Sequence, residues 1–177
     1  MNEPVLLKEW LSEEARSLAE SYFRIVLAAG RLTPEPGMKS DALYGDPLAD
    51  ALAIRGTSIV SDNAGRSVYP SYGYWRVYWP GASLELHRDR EACDWTMSVA
   101  VASQSNTLPW PLEVGSGPTT TINLAPGDAV LLRGRELAHG RLTPAPGWSA
   151  WLFLHWVEDR GSYLDGRPLP AFGRGTS

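Results

Sequence analysis

The sequence predicts a mainly β protein, an antiparallel barrel or jelly roll behind an N-terminal helical part. Two helical stretches come first, and from about residue 57 the apolar period changes to two. About eight short apolar runs then follow, spaced by Pro, Gly, Asn and Asp turn chemistry. The 177 residues are expected to form one domain over 1–177. Its helical part spans about 1–56, its barrel about 57–158 and a C-terminal extension 159–177.

Residues 12–29 read as an amphipathic helix. Ser12 is the expected N-cap, and Glu13 and Glu14 suit the positive end of the helix dipole. Ala15, Leu18, Ala19, Tyr22, Ile25, Val26 and Ala29 form its apolar stripe, and Gly30 stops it. Residues 31–42, with Pro34, Pro36 and Gly37, read as loop. Asp46-Pro47 is an N-cap with proline at N1, opening a short helix to about Ile54. Thr57-Ser58-Ile59-Val60 reads as a strand and Asp62-Asn63-Ala64-Gly65 as a turn. Pro70 and Gly73 mark Val68–Tyr74 as loop or edge strand.

Strands are then expected at Trp75–Trp79, Ser83–Asp89, Asp94–Ala102, Trp110–Val114, Thr119–Leu124, Ala129–Arg133 and Ser149–Val157. Gln104–Asn106 reads as loop, and His139 opens a polar connection through Pro144 and Pro146. The tail from Asp159 is rich in Gly, Pro and Arg and reads as an extension or a flap over a pocket.

Composition narrows the function. A formal charge of −4 and a pI near 5.4 argue against generic nucleic-acid binding, and with Lys8 and Lys39 the only lysines almost all positive charge is arginine. The lone Cys93 rules out an intramolecular disulfide and fits a reducing cytoplasm. Met1-Asn2-Glu3-Pro4 does not open a secretory leader, and no apolar run is long enough for a membrane helix. Eight tryptophans, many flanking the candidate site, suggest an aromatic-lined pocket or simply a Trp-filled core. Tyr72, Tyr74, Trp75, Trp95 and Trp110 are the candidate lining.

The chemistry centres on Leu84-Glu85-Leu86-His87-Arg88-Asp89. On an extended segment His87 and Asp89 point the same way and can share a metal ion. His139, 52 residues on, follows a Gly-Asp turn and a strand. Two histidines and a carboxylate, with open positions on one face, suit non-haem Fe(II) chemistry. A buried His–Asp pair is the competing reading. His155, inside an apolar strand, reads as a core histidine or as lining of the pocket.

Tyr78-Trp79-Pro80-Gly81, Leu86-His87-Arg88-Asp89-Arg90, Leu124-Ala125-Pro126-Gly127-Asp128 and His139-Gly140-Arg141 resemble the Fe(II)/2-oxoglutarate-dependent dioxygenases. Over residues 43–158 the chain is similar to small bacterial members related to prolyl 4-hydroxylases. The resemblance implies a double-stranded β-helix, the cupin-like jelly roll, with His87, Asp89 and His139 holding Fe(II). It implies 2-oxoglutarate and O2 as cosubstrates, and hydroxylation of an unactivated C–H bond with release of succinate and CO2. Asp89, which related halogenases lack, favours hydroxylation over chlorination.

The far carboxylate of 2-oxoglutarate needs a cation. The family places one about ten residues past the distal histidine, where this chain has Trp148, Ser149 and Ala150. Arg141 is the first substitute, followed by Arg90, Arg76 and Arg133. Tyr78 matches a tyrosine that touches the cosubstrate, and His155 joins the cofactor-binding candidates.

The expected substrate is a small or amino-acid-like molecule, with a protein side chain as runner-up. The alternatives are a 2-oxoglutarate-independent metal cupin, an isomerase or dioxygenase, and a non-catalytic small-molecule-binding barrel. A nucleic-acid repair dioxygenase is disfavoured by the acidic charge.

Overall fold

Two antiparallel sheets face each other in the computed structural model of the chain, which describes residues 3–104 and 109–159. In chain order the elements are β1 (Val5–Leu7), α1 (Glu13–Ala28), β2 (Thr33–Glu35), one 3₁₀ turn (Pro36–Met38), β3 (Ser40–Tyr44), α2 (Pro47–Ala64), β4 (Tyr69–Tyr78) and β5 (Leu84–His87). They continue with β6 (Trp95–Ser103), β7 (Leu112–Val114), β8 (Thr120–Ile122), β9 (Ala129–Leu132), β10 (His139–Arg141) and β11 (Ser149–Val157). Among the described residues the larger sheet runs β1-β9-β6-β11-β4-β3-β2 and the smaller β5-β10-β7-β8. This is the jelly roll expected from the sequence.

The larger sheet is buried on both sides, so its central strands are apolar throughout. Outward residues of β4, β6 and β11 (Trp75, Val77, Met97, Val99, Leu152, Leu154 and Trp156) pack with Phe23 and Val26 of α1 and Ala49, Ala53 and Val60 of α2. The alternate residues face the smaller sheet. Tyr72, Tyr74 and Tyr78 meet Trp151 and Phe153 there, with Val130, Leu132, Trp110 and Leu112. Trp75 and Trp95 therefore belong to the helix-side core and not to the pocket lining expected of them.

Both helices start where their caps dictate. The Ser12 hydroxyl accepts from Ala15 N, and Gly30 leaves α1 at φ +65°. The buried face of α1 is Ala19, Phe23 and Val26, while Leu18 and Ile25 are 66% and 67% exposed. The expected stripe was drawn too wide, and it omitted Phe23.

α2 corrects a larger expectation. Residues 57–60 are helix, and the helix runs to Ala64 before Gly65 closes it in the left-handed region. Ala49, Ala53, Gly56 and Val60, at steps of four, three and four, are the face laid on the sheet, and this helical period outweighs the strand preference of Thr57, Ile59 and Val60. A Cβ on Gly56 would lie 3.0 Å from the Trp156 ring, so the small residue sets the helix–sheet distance.

Residues 33–35 and 40–44, expected as loop, add β2 and β3 to the sheet. β4 lies between β11 and β3 only over Tyr74–Tyr78, and its first part, with Pro70, pairs with β11 alone and is the edge segment expected. Proline is tolerated because β3 pairs only with Tyr74–Tyr78, and the β4–β11 register slips between His155 and Trp156, where Pro70 sits. Gly73 faces the start of α2, where a Cβ would meet the Ala49 carbonyl oxygen at 2.9 Å. His139–Arg141 is a strand, not a connection. The loop at Gln104–Asn106 falls largely outside the described residues, as does the tail beyond Asp159. Among the described residues no helix is long and apolar enough to cross a membrane.

Asp46 ties the layers together. Its carboxylate caps α2 through Leu48 N and Ala49 N, both at 3.1 Å, and accepts from Trp75 Nε1 of β4 at 2.9 Å. The Tyr22 hydroxyl of α1 donates to its other oxygen. Asp46→Ala removes a cap and strands a buried indole N–H. It is expected to cost about 3 kcal/mol in urea unfolding, with Asp46→Asn recovering roughly half.

Candidate metal centre

β5 and β10 pair antiparallel with His139 opposite His87. Residues directly opposite in a sheet share a face, and the two imidazole centroids are 4.6 Å apart. Between His139 and Arg141 the register slips, so that Arg141 pairs with Leu84. A Cβ on Gly140 would lie 2.6 Å from the Leu84 carbonyl oxygen and 2.8 Å from that of Glu85. Glycine is required where the β5 backbone presses closest.

β5 ends at His87, so Asp89 does not reach the site along an extended strand as the spacing suggested. The turn after β5 delivers it, and Asp89 N donates to the Gly134 carbonyl at 2.8 Å. Asp89 Oδ1 then lies 3.6 Å from both His87 Nε2 and His139 Nε2. One donor atom from each of the three residues falls within 4.8 Å of the others.

Hydrogen bonding settles which ring nitrogens face that space. His87 Nδ1 is 3.0 Å from the Glu85 carbonyl and His139 Nδ1 is 2.9 Å from the Leu137 carbonyl. A carbonyl only accepts, so both Nδ1 atoms carry the proton and both Nε2 lone pairs converge with the Asp89 oxygen. The neighbouring Asp89 carboxylate raises the His87 pKa against the effect of burial, while burial lowers that of His139. Burial alone would raise the Asp89 pKa. The nearby His87 and His139 imidazoles and the hydrogen bond from Thr96 hold it well below the ordinary carboxylate range. A carboxylate and two imidazoles that present Nε2 form a donor set suited to Fe(II).

Behind Asp89 the Thr96 hydroxyl is 2.6 Å from Oδ2 and 3.0 Å from His155 Nδ1. His155 is on the inner face, where its ring lies 4.4 Å from that of Tyr72. Burial pushes its pKa down to about 4, so it is neutral. Arg90 reaches Tyr72, with Nε 3.4 Å from the hydroxyl and the guanidinium over the ring. Burial pushes the Cys93 thiol up to about 12, which keeps it a thiol against the Tyr72 hydroxyl.

Arg141 follows His139 by two on the same strand and so projects to the same side. It is 1% exposed. Its guanidinium lies 3.7 Å from the Trp151 ring centroid and 4.8 Å from that of Trp110, and Nη1 donates to the Trp110 carbonyl. Nη2 is buried with no partner, and burial pushes the pKa down to about 10. The other candidate cations differ. Arg76 Nε is 2.9 Å from Glu35, and Arg133 is 2.6 Å from Glu136. Tyr78 is wholly buried beside Trp110, and its hydroxyl accepts from Arg76 at 3.2 Å. Ser149, at the family's usual cation position, accepts from the Trp151 indole at 2.9 Å.

Sequence reasoning missed Thr96, Gly134 and Glu35. Thr96 and Ser98 did leave a signal, as polar residues at period two inside an otherwise apolar strand. Gly134 and Glu35 left none, because their roles come from contacts across the fold.

Neither a protein-family model nor a curated protein matches the sequence. Solved structures do match. A prolyl-4-hydroxylase from Pseudomonas putida aligns with a TM-score of 0.72 at 16% identity, over 90% of this chain and 94% of its own. A prolyl hydroxylase from Trichoplax adhaerens, in complex with a hypoxia-inducible-factor peptide, gives 0.73 at 12% identity, over 89% and 84%. The non-haem α-ketoglutarate-dependent epimerase SnoN from nogalamycin biosynthesis gives 0.72 at 13% identity, over 95% and 89%. At these identities the likeness is one of fold.

His155 makes the metal-free protein acid-sensitive. The folded state resists protonation until about pH 4, whereas the unfolded chain takes up the proton near ~6.5. Between those values the unfolded state binds more protons, so stability is lost as pH falls through the window. Urea unfolding is expected to show roughly 3 kcal/mol more loss from pH 7 to 4 in the wild type than in His155→Gln.

Proposed function

We propose that the chain is an Fe(II)- and 2-oxoglutarate-dependent oxygenase that hydroxylates an unactivated C–H bond of a small or amino-acid-like molecule, with release of succinate and CO2. The observation that carries this reading is the pairing of two features on one strand face. His139 completes a set of three metal-ready donors with His87 and Asp89, and two residues on, Arg141 offers a buried guanidinium with an unpartnered Nη2. A metal-only cupin has no use for that cation. A dicarboxylate cosubstrate needs it, since a carboxylate buried without a partner is costly.

The bound group supplies the oxidising power, with O2 giving one oxygen atom to the substrate hydroxyl and one to succinate. The chain binds and orients. Glu85 and Leu137 carbonyls hold the imidazoles in the Nδ1–H form, so that each presents Nε2. Arg141, clamped between Trp110 and Trp151, receives the far carboxylate, and the buried Tyr78 beside it keeps that end dry. Arg90 and His155 line the space on the side of Asp89.

The fold is shared with two prolyl hydroxylases and an α-ketoglutarate-dependent epimerase, which supports the cofactor pair more than the reaction. Hydroxylation rests on Asp89, which fills the position a halide would need. A protein side chain is the second substrate class. The single, buried cysteine fits a cytoplasmic enzyme.

Anaerobic titration of the Fe(II)-loaded protein with 2-oxoglutarate is expected to give the visible charge-transfer band of a chelated keto acid, absent in His139→Ala. Arg141→Leu is expected to keep metal binding and to weaken 2-oxoglutarate at least about 100-fold, as loss of one partner of a buried ion pair does. Iron uptake by folded protein with no band would sink the 2-oxoglutarate assignment.

A further inference from the structure

Asp89 has two oxygens, and the structure treats them differently. Oδ1 faces His87 and His139 at 3.6 Å. Oδ2 is turned away, 2.6 Å from the Thr96 hydroxyl. It also sits against Gly134, where a Cβ would lie 2.3 Å from Oδ2 and 2.5 Å from Thr96 Oγ1. No side chain larger than hydrogen fits there, so the backbone of Gly134 walls in the Thr96–Asp89 contact.

The direction of the hydrogen bonds follows from valence. A carboxylate only accepts, so the single hydroxyl proton of Thr96 goes to Asp89 Oδ2. Thr96 Oγ1 must then accept from His155, 3.0 Å away, which makes His155 the Nδ1–H tautomer. The cost is visible, since His155 Nε2 is left buried with no partner. The reverse tautomer would bury an orphan N–H and leave two acceptors competing for one hydroxyl proton. Both donors in the chain His155–Thr96–Asp89 therefore point toward the carboxylate.

We propose that Thr96, oriented by His155, is a positioning residue that keeps Asp89 a one-oxygen metal ligand. With Oδ2 held by Thr96, three protein atoms reach the metal, and the remaining positions stay open for a chelating cosubstrate and O2. This rests on the oxygenase reading above. It assigns a task to the third histidine, which is tied to Thr96.

The test uses Co(II) alone as probe, with affinity and visible d–d absorption as readouts on the full chain. Thr96→Val is nearly isosteric and deletes only the hydroxyl, and Thr96→Ser restores it. Thr96→Val is expected to bind Co(II) 10–100-fold more weakly, the usual range for loss of an outer-shell partner, and with an altered d–d spectrum. Thr96→Ser is expected within about twofold of the wild type and with its spectrum, a rescue that a merely structural role would not tie to the hydroxyl. Should the valine variant not fold, Thr96→Ala carries the same comparison. Wild-type affinity and spectrum in a folded Thr96→Val or Thr96→Ala overturn the proposal. If His139→Ala loses Co(II) in that same series, the metal site stands and only the role of Thr96 falls. If the wild type takes up no Co(II), the oxygenase reading falls and the proposal with it.

Discussion

The site depends on one cross-strand pair. His87 and His139 are 52 residues apart in the chain and meet because β5 and β10 are antiparallel with these residues in register. A slip of one residue would turn one imidazole to the opposite face of the sheet. The register is defended next door, where Gly140 lets the backbone of β5 come within contact distance, and the bulge there brings Arg141 opposite Leu84. The smaller sheet is short-stranded and half exposed, so it is held less by burial than by this fit of backbone on backbone.

Asp89 is fixed by different means. It lies beyond the end of β5, where strand geometry no longer controls its direction. The Gly134 carbonyl takes its N–H and Thr96 takes one side-chain oxygen. Two sheets thus cooperate, with ligands from the smaller one and orientation from β6 and β11 of the larger. Metal sites need such outer partners, because a carboxylate free to rotate offers either oxygen or both.

What could be read from the sequence was local. The caps at Ser12 and Asp46 and the Gly30 stop each need only a few neighbouring residues, and the structure has them. The donor trio was legible because histidines are few and His-x-Asp is compact, although the shared strand face expected of His87 and Asp89 does not hold, since β5 ends at His87. The misses share a cause. Residues 57–60 carry β-branched side chains that favour a strand alone, but the Ala49–Ala53–Gly56–Val60 face gains a sheet to lie on. Pro70 does mark an edge segment, but the same strand runs on into the sheet interior from Tyr74, where β3 pairs with it. Thr96 looks like one more strand residue until His155 and Asp89 are placed on either side of it.

The missing cation on the last strand and the wealth of tryptophan are one fact seen twice. Where the related fold carries a basic residue, β11 has Ser149 bonded to the indole of Trp151. That indole closes the position and turns its face to Arg141, which enters from the opposite sheet. Glu113 lies close enough for its charge to favour the guanidinium, but a buried guanidinium would still be costly in an aliphatic core. Between two indoles it keeps an electrostatic partner in their π faces, and the Trp110 carbonyl takes one N–H. The aromatic cage holds the charge without neutralising it, leaving Nη2 unpaired. A carboxylate bonded directly to Nη2 would have stabilised the empty protein more and left nothing for an anion to bind.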